Sequence, residues 1–218
     1  VSDFHIYLVP GIGADHRVFE SIHLDGFETT IIVWEQPKRG ETIREYAKRL
    51  SQQIKHDRPF FIGLSFGGII AAELSQLFPS SKFILISSIA SRMEVPWWAR
   101  HAAALGMNRW FSGAFMKKPN PLIRWIFSIA PGHQRELFDA ILRDSDPVFL
   151  YWALNELLNW KGNGSKRLHH IHGKKDRLLP CRFTSADTII EDGAHFMIVS
   201  HGNEISTLLV HMLQKVEH

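Results

Sequence analysis

One hexapeptide limits what this chain can fold into. Gly63-Leu64-Ser65-Phe66-Gly67-Gly68 follows the apolar run Pro59-Phe60-Phe61-Ile62 and precedes a stretch rich in Ile, Ala and Leu. A tight turn from a buried strand into a helix strains the backbone at its centre, and the residues two positions away approach so closely that only small ones fit. Gly63 and Gly67 meet that demand. Such a turn lifts the Ser65 hydroxyl above the carboxyl edge of a sheet, at a helix N-terminus, where the Phe66 amide can face a developing oxyanion. Strand, turn and helix together make Gly-x-Ser-x-Gly a nucleophile elbow rather than an incidental glycine-rich turn.

The rest of the chain carries the same strand and helix rhythm. Short apolar runs recur at residues 4–10, 29–34, 59–63, 82–88, 167–172 and 186–191. Their near-continuous hydrophobicity predicts strands covered on both faces, hence an α/β fold of three layers: a mostly parallel sheet of about six strands between helices. Thr42 with Glu45 predicts a capping box opening a helix from Ile43 to about Ile54. Helices are also predicted from Phe66 to Phe78 and from about Glu204 to Val216. At 218 residues the chain suits one such core.

The rhythm breaks over residues 90–160, which hold helix signals and no strand run. Pro96, Pro121, Pro131-Gly132 and Asp146-Pro147 each mark a helix start. The segment is expected to be a helical cap inserted into a core of residues 1–89 and 161–218. Of the seven Trp, all but Trp34 lie in it. Large aromatics usually serve packing, so most of these indoles are expected to fill the contact between cap and sheet.

Charge and cysteine content narrow the partners. The 25 Lys and Arg against 22 Asp and Glu give a net +3 without basic clusters, which argues against a nucleic-acid partner. One cysteine, Cys181, allows no internal disulfide and suits a reducing, cytoplasmic setting. No apolar stretch reaches the ~20 residues of a membrane span. His170 and His172 share one side of a strand, but no third ligand follows at a sensible spacing, so no metal site is expected.

A serine needs a base, and the base an orienting acid. Asp176 follows the strand that ends at His172, and His195 follows the strand that ends at Glu191. Both stand past the carboxyl ends of predicted parallel strands, the edge where open α/β sheets gather ligands. The order Ser65, Asp176, His195 is that of one triad-bearing fold. Here the chain resembles the α/β-hydrolase superfamily, in Gly63-Leu64-Ser65-Phe66-Gly67, His172-Gly173-Lys174-Lys175-Asp176 and Gly193-Ala194-His195. The resemblance implies Ser65 as nucleophile, His195 as general base and then acid, and Asp176 as orienting carboxylate. It also implies that Pro10-Gly11-Ile12-Gly13 is the oxyanion loop, with the Ile12 amide partnering Phe66, and that no metal or organic cofactor is needed.

Against the family pattern, the sequence starts at what resembles the third strand, so the first strands are missing. The interval from Asp176 to His195 is short for a helix, and a loop or stunted helix is expected there. Glu94 is an alternative orienting acid. Gly11-Ile12-Gly13 with Glu35 imitates a dinucleotide fingerprint, but His16 stands where a third small residue belongs. The reading is a serine hydrolase acting on a small to medium, largely apolar carboxylic ester. The alternatives are carbon–carbon bond cleavage or thioester hydrolysis on the same triad, or a non-catalytic ligand-binding protein of the same shape. The oligomeric state is left open.

Overall fold

The computed structural model describes residues 4–105, 117–162 and 168–217. Six strands form one sheet: β1 (His5–Val9), β2 (Thr29–Ile31), β3 (Pro59–Leu64), β4 (Lys82–Ile86), β5 (Leu168–Gly173) and β6 (Thr188–Ile190). Their order is β2-β1-β3-β4-β5-β6, and every neighbouring pair is parallel. All six residues of β3, at the centre, are buried, as a strand covered on both faces requires.

Side chains alternate between two cores. On one face Tyr7, Phe61, Phe83 and Leu85 pack with α1 (Ile43–Leu50) and α2 (Phe66–Leu74). On the other, Ile6, Ile62, Ile84 and Ile171 pack with the C-terminal helices. The capping box forms: Thr42 Oγ1 accepts from the Glu45 amide at 3.3 Å, and the Thr42 amide donates to Glu45 Oε2 at 2.9 Å. α1 then buries Ile43, Tyr46, Ala47 and Leu50 on one stripe. α2 is buried all round; its sequence is apolar but for Glu73, whose buried carboxylate accepts from Trp160 Nε1 at 2.6 Å and pairs with Arg44.

Among the described residues, four α-helices lie between β4 and β5: α3 (Trp97–Ala104), α4 (Pro121–Ile126), α5 (His133–Asp144) and α6 (Pro147–Asn159). Asn120 caps α4 and Asp146 caps α6, each accepting amides of the first turn beside a proline that has none to offer. After β6 come the short α7 (Met197–Ser200) and α8 (Gly202–Glu217). α8 buries Ile205, Leu209 and Leu213 completely, each worth ~1.5–3 kcal/mol relative to exposure.

Three expectations need correction. The second strand ends at Ile31, not Trp34: the Ile32 amide still reaches Leu8 O, but past it the Val33 amide donates to the Gln53 side chain and the Glu35 amide to the Tyr46 hydroxyl instead of to a strand. α2 ends at Leu74, where the Ser75 hydroxyl turns back onto Ala72 O and tight turns follow. The indoles do not all pack: Trp160 is buried and Trp152 lies against Tyr46, but Trp97, Trp98 and Trp125 are 56%, 46% and 59% exposed. Trp110 lies outside the described residues.

Candidate active site

The elbow is built by close backbone approach. Ser65 sits at φ 50°, a left-handed conformation costly for a residue with a side chain, and its amide and carbonyl are pinned by β4 and the loop after it. The amide donates to Ile86 O at 2.9 Å, and Ser88 Oγ donates to Ser65 O at 2.6 Å. A Cβ on Gly63 would lie 2.6 Å from Gly67 O, and one on Gly67 would lie 2.1 Å from Val9 O. Both glycines are therefore steric requirements of this turn.

Three segments far apart in sequence meet above this turn. Ser65 Oγ is 3.0 Å from His195 Nε2, and His195 Nδ1 donates to Asp176 Oδ2 at 2.8 Å. A ring that donates from Nδ1 presents Nε2 as an acceptor, the tautomer needed to take the serine proton. Asp176 comes from the loop after β5, His195 from the loop after β6, and all three side chains are buried. Asp176 Oδ1 accepts the Leu179 amide at 2.8 Å. Burial alone would push the Asp176 carboxyl up, but the His195 charge and hydrogen bonds from His172 and His195 outweigh it and hold it below the ordinary carboxylate range. Between Asp176 and His195 runs a single 3-10 turn, Cys181–Phe183, in place of a full helix.

The Gly11–Ala14 loop runs beside the elbow. Its shape is fixed through two carbonyls. Gly11 O accepts from the Ala14 amide at 3.0 Å and from Trp34 Nε1 at 3.2 Å, while Gly13 O accepts from Ser145 Oγ at 2.9 Å. Among the described residues, neither the Ile12 nor the Phe66 amide has a protein acceptor. Sequence reasoning missed Trp34 and Ser145, whose partners stand 23 and 132 positions away.

Glu94 is occupied elsewhere. It is buried and its two oxygens accept the amides of Ala90 and Ser185, at 2.6 and 3.1 Å, so it ties two loops together while His195 Nδ1 faces Asp176. Glu35 pairs with Arg49, and a side chain on Gly13 would meet Ser145 Oγ and Leu150, so the glycine at 13 serves close packing against the start of α6. Asp15 caps the turn entered at His16 and pairs with Arg17, which also reaches Asp144. His170 and His172 bond each other, and no group of three metal-ligating side chains occurs among the described residues.

Aromatic side chains surround this centre. The Phe127 ring stands edge-on to His195 at 5.3 Å, and Trp34, Phe66 and Phe149 pack together beside the Gly11–Ala14 loop. A cavity of about 480 Å³ opens next to that loop, lined by Gly13, Trp34, Gln36, Ser145 and Phe149 among others; Ser65 does not line it.

Comparison with solved structures places this architecture among known ones. The chain is similar to a thermophilic esterase from Thermogutta terrifontis solved with malate bound, with TM-score 0.71 and 15% identity over 99% of this chain and 91% of that one. It is similar to an esterase from Exiguobacterium antarcticum, with TM-score 0.71 and 17% identity over 98% and 93% of the two chains. It is also similar to an epoxide hydrolase from Bacillus megaterium, with TM-score 0.70 and 12% identity over 96% and 93%. At such identities the likeness shows the fold. None of the curated proteins compared matches the chain. No described helix is long and apolar enough to cross a membrane. The sequence model of one family, described as the alpha/beta hydrolase family, matches residues 6–206, nearly the whole chain, and on that ground the protein belongs to it.

Proposed function

We propose that the protein is a serine hydrolase cleaving small to medium, largely apolar carboxylic esters through Ser65, His195 and Asp176. The observation that carries this reading is the unbroken run of contacts from Ser65 Oγ to His195 Nε2 and from His195 Nδ1 to Asp176 Oδ2. In the reaction, His195 Nε2 takes the hydroxyl proton as Ser65 Oγ attacks the ester carbonyl. The amides of Ile12 and Phe66 receive the oxyanion, and His195 returns the proton to the departing alkoxide. Water, deprotonated by His195, then attacks the acyl-serine; its proton goes back to Ser65, and a carboxylic acid leaves. Asp176 keeps His195 in the productive tautomer and offsets its charge when it is protonated.

A serine nucleophile suits esters and not epoxide opening, which in this fold needs a carboxylate at the elbow. The aromatic surroundings of His195 and of the Gly11–Ala14 loop favour an apolar substrate. On this reading residues 90–160 act as a cap over the site: Phe127 reaches His195, and Trp125 lies 5.1 Å under the guanidinium of Arg177, next to Asp176.

The test is treatment with a fluorophosphonate and, separately, a short-chain aryl ester. Labelling at Ser65 with ester turnover, both lost in Ser65→Ala, is the expected result. Labelling without turnover of any ester, thioester or amide would replace this reading with carbon–carbon bond cleavage. Ligand binding without labelling would make the protein a receptor.

A further inference from the structure

Asp176 is gripped from behind by a histidine that the triad does not include. His172 lies on β5, fully buried, with Nε2 2.8 Å from Leu179 O and 3.3 Å from Asp176 Oδ2. Both neighbours are acceptors, so Nε2 must carry a hydrogen. Leu179 closes the arrangement, since its amide donates to the other Asp176 oxygen at 2.8 Å. The second nitrogen, His172 Nδ1, is 2.9 Å from His170 Nε2, which stops the ring from flipping without breaking a buried contact. The groups facing Asp176 are therefore His172 and, behind it, His170 from β5, and His195 from the loop after β6. His169 turns to the opposite side, toward Thr188 and Asp187, and the Arg177 guanidinium lies over Trp125.

We infer that His172 is a positioning residue for the proposed reaction: its Nε2 hydrogen, shared between Leu179 O and Asp176 Oδ2, fixes the carboxylate that orients His195. This rests on the serine-hydrolase reading of the site. The Asp176 oxygen that meets His172 is the one that accepts from His195 Nδ1. A donor on the far side of that oxygen draws charge from it and limits how strongly it stabilises a protonated His195. His172 thus sets both the angle of the acid and the acidity of the base, without touching substrate.

The experiment uses the full chain and follows the ring nitrogens of His172 and His195 by ¹⁵N NMR, alongside kcat and KM for the aryl ester. In the wild-type protein His172 is expected to hold a hydrogen on Nε2, between its two acceptors. In His172→Phe the His195 ring is expected to titrate about one pH unit higher, because its carboxylate partner has lost a competing donor. The acid limb of kcat/KM should move with it, and kcat should fall about tenfold at unchanged KM, the size of one hydrogen bond to a charged group. His172→Gln, whose amide NH₂ reaches the same acceptors, should restore both.

A His172 that carries its hydrogen on Nδ1 alone overturns the inference without any variant, as does a folded His172→Phe protein with an unmoved His195 titration. If the wild-type protein turns over no ester, the hydrolase reading fails on that count, while the titrations of His172 and His195 still decide the role of His172.

Discussion

The hydroxyl of Ser145, between α5 and α6, lies 2.9 Å from the carbonyl of Gly13 and 2.7 Å from that of Ile141. One hydrogen shared between those oxygens joins the turn between α5 and α6 to the loop that carries the Ile12 amide. Gly13 stands at φ 65°; its carbonyl is held by Ser145, and the amide of the same peptide, that of Ala14, donates to Gly11 O at 3.0 Å. Ser145→Ala removes the carbonyl-side tie and leaves the Ala14 amide as the peptide's hold, which loosens the loop. Complete loss of an oxyanion donor costs roughly 10²–10³ in kcat, so a loosened one should cost about tenfold. KM should hold, because the oxyanion exists only in the transition state. A Ser145→Ala protein with unchanged kcat for the aryl ester would detach the turn between α5 and α6 from catalysis.

The elbow glycines should differ sharply in tolerance. A methyl on Gly67 would lie 2.1 Å from Val9 O and 2.3 Å from Pro10 O, backbone atoms at the end of β1 and its exit that cannot move aside. A methyl on Gly68 would meet Ser88 Oγ at 2.3 Å and Ser88 Cβ at 2.5 Å; rotation relieves only the first, at the expense of the bond to Ser65 O, and the second requires the loop that carries Ser88 to shift. Gly67→Ala is expected to yield no folded protein. Gly68→Ala is expected to fold with a loss of about 1–3 kcal/mol, the cost of a strained or unsatisfied buried group. Thermal melts of the two variants, with expression yield, make the comparison; equal stability would contradict the packing described.

Asp176 and Glu94 can be separated by isosteric amides. Asp176→Asn leaves the shape intact but offers His195 Nδ1 no charge and permits the wrong ring tautomer, so kcat should fall by roughly 10⁴. Glu94→Gln should leave kcat within about threefold, since Glu94 serves the amides of Ala90 and Ser185. Its melting temperature should drop instead. Near-full activity in Asp176→Asn would mean that another carboxylate orients His195.

Much of this arrangement is legible in the sequence because local chemistry dictates it. Phe60-Phe61-Ile62 and Phe83-Ile84-Leu85-Ile86 read as central strands because both faces of the sheet are covered. Gly63 and Gly67 announce the elbow because no larger residue fits. Long-range partnerships leave no such mark. Nothing near Ser145 in sequence points to Gly13, and His172 reads as an ordinary strand residue until Leu179 and Asp176 fold back over it. The exposed Trp97, Trp98 and Trp125 mislead for the same reason: an indole's size predicts burial, but the surface that would bury it is chosen by distant segments.

His170 should make the fold acid-sensitive. Burial first, then the neighbouring His172 and His169, push its ring down to about 3, and Nδ1 has no hydrogen-bond partner among the described residues. An unfolded histidine titrates at about 6.5. Above that value the ring is neutral in both states and its titration contributes nothing. As pH falls from about 6.5 toward about 3, the unfolded chain binds a proton that the native ring refuses, and stability drops by up to about 1.4 kcal/mol per pH unit. His5, also pushed down chiefly by burial, acts in the same direction. Asp176, held below its ordinary value, adds a further loss only at lower pH, near and below the usual carboxylate range. Urea unfolding at pH 7.5 and pH 5 should therefore show a clear loss in the wild-type protein. His170→Leu should show a smaller one, and an unchanged difference between the two pH values would mean that His170 is already protonated in the folded state.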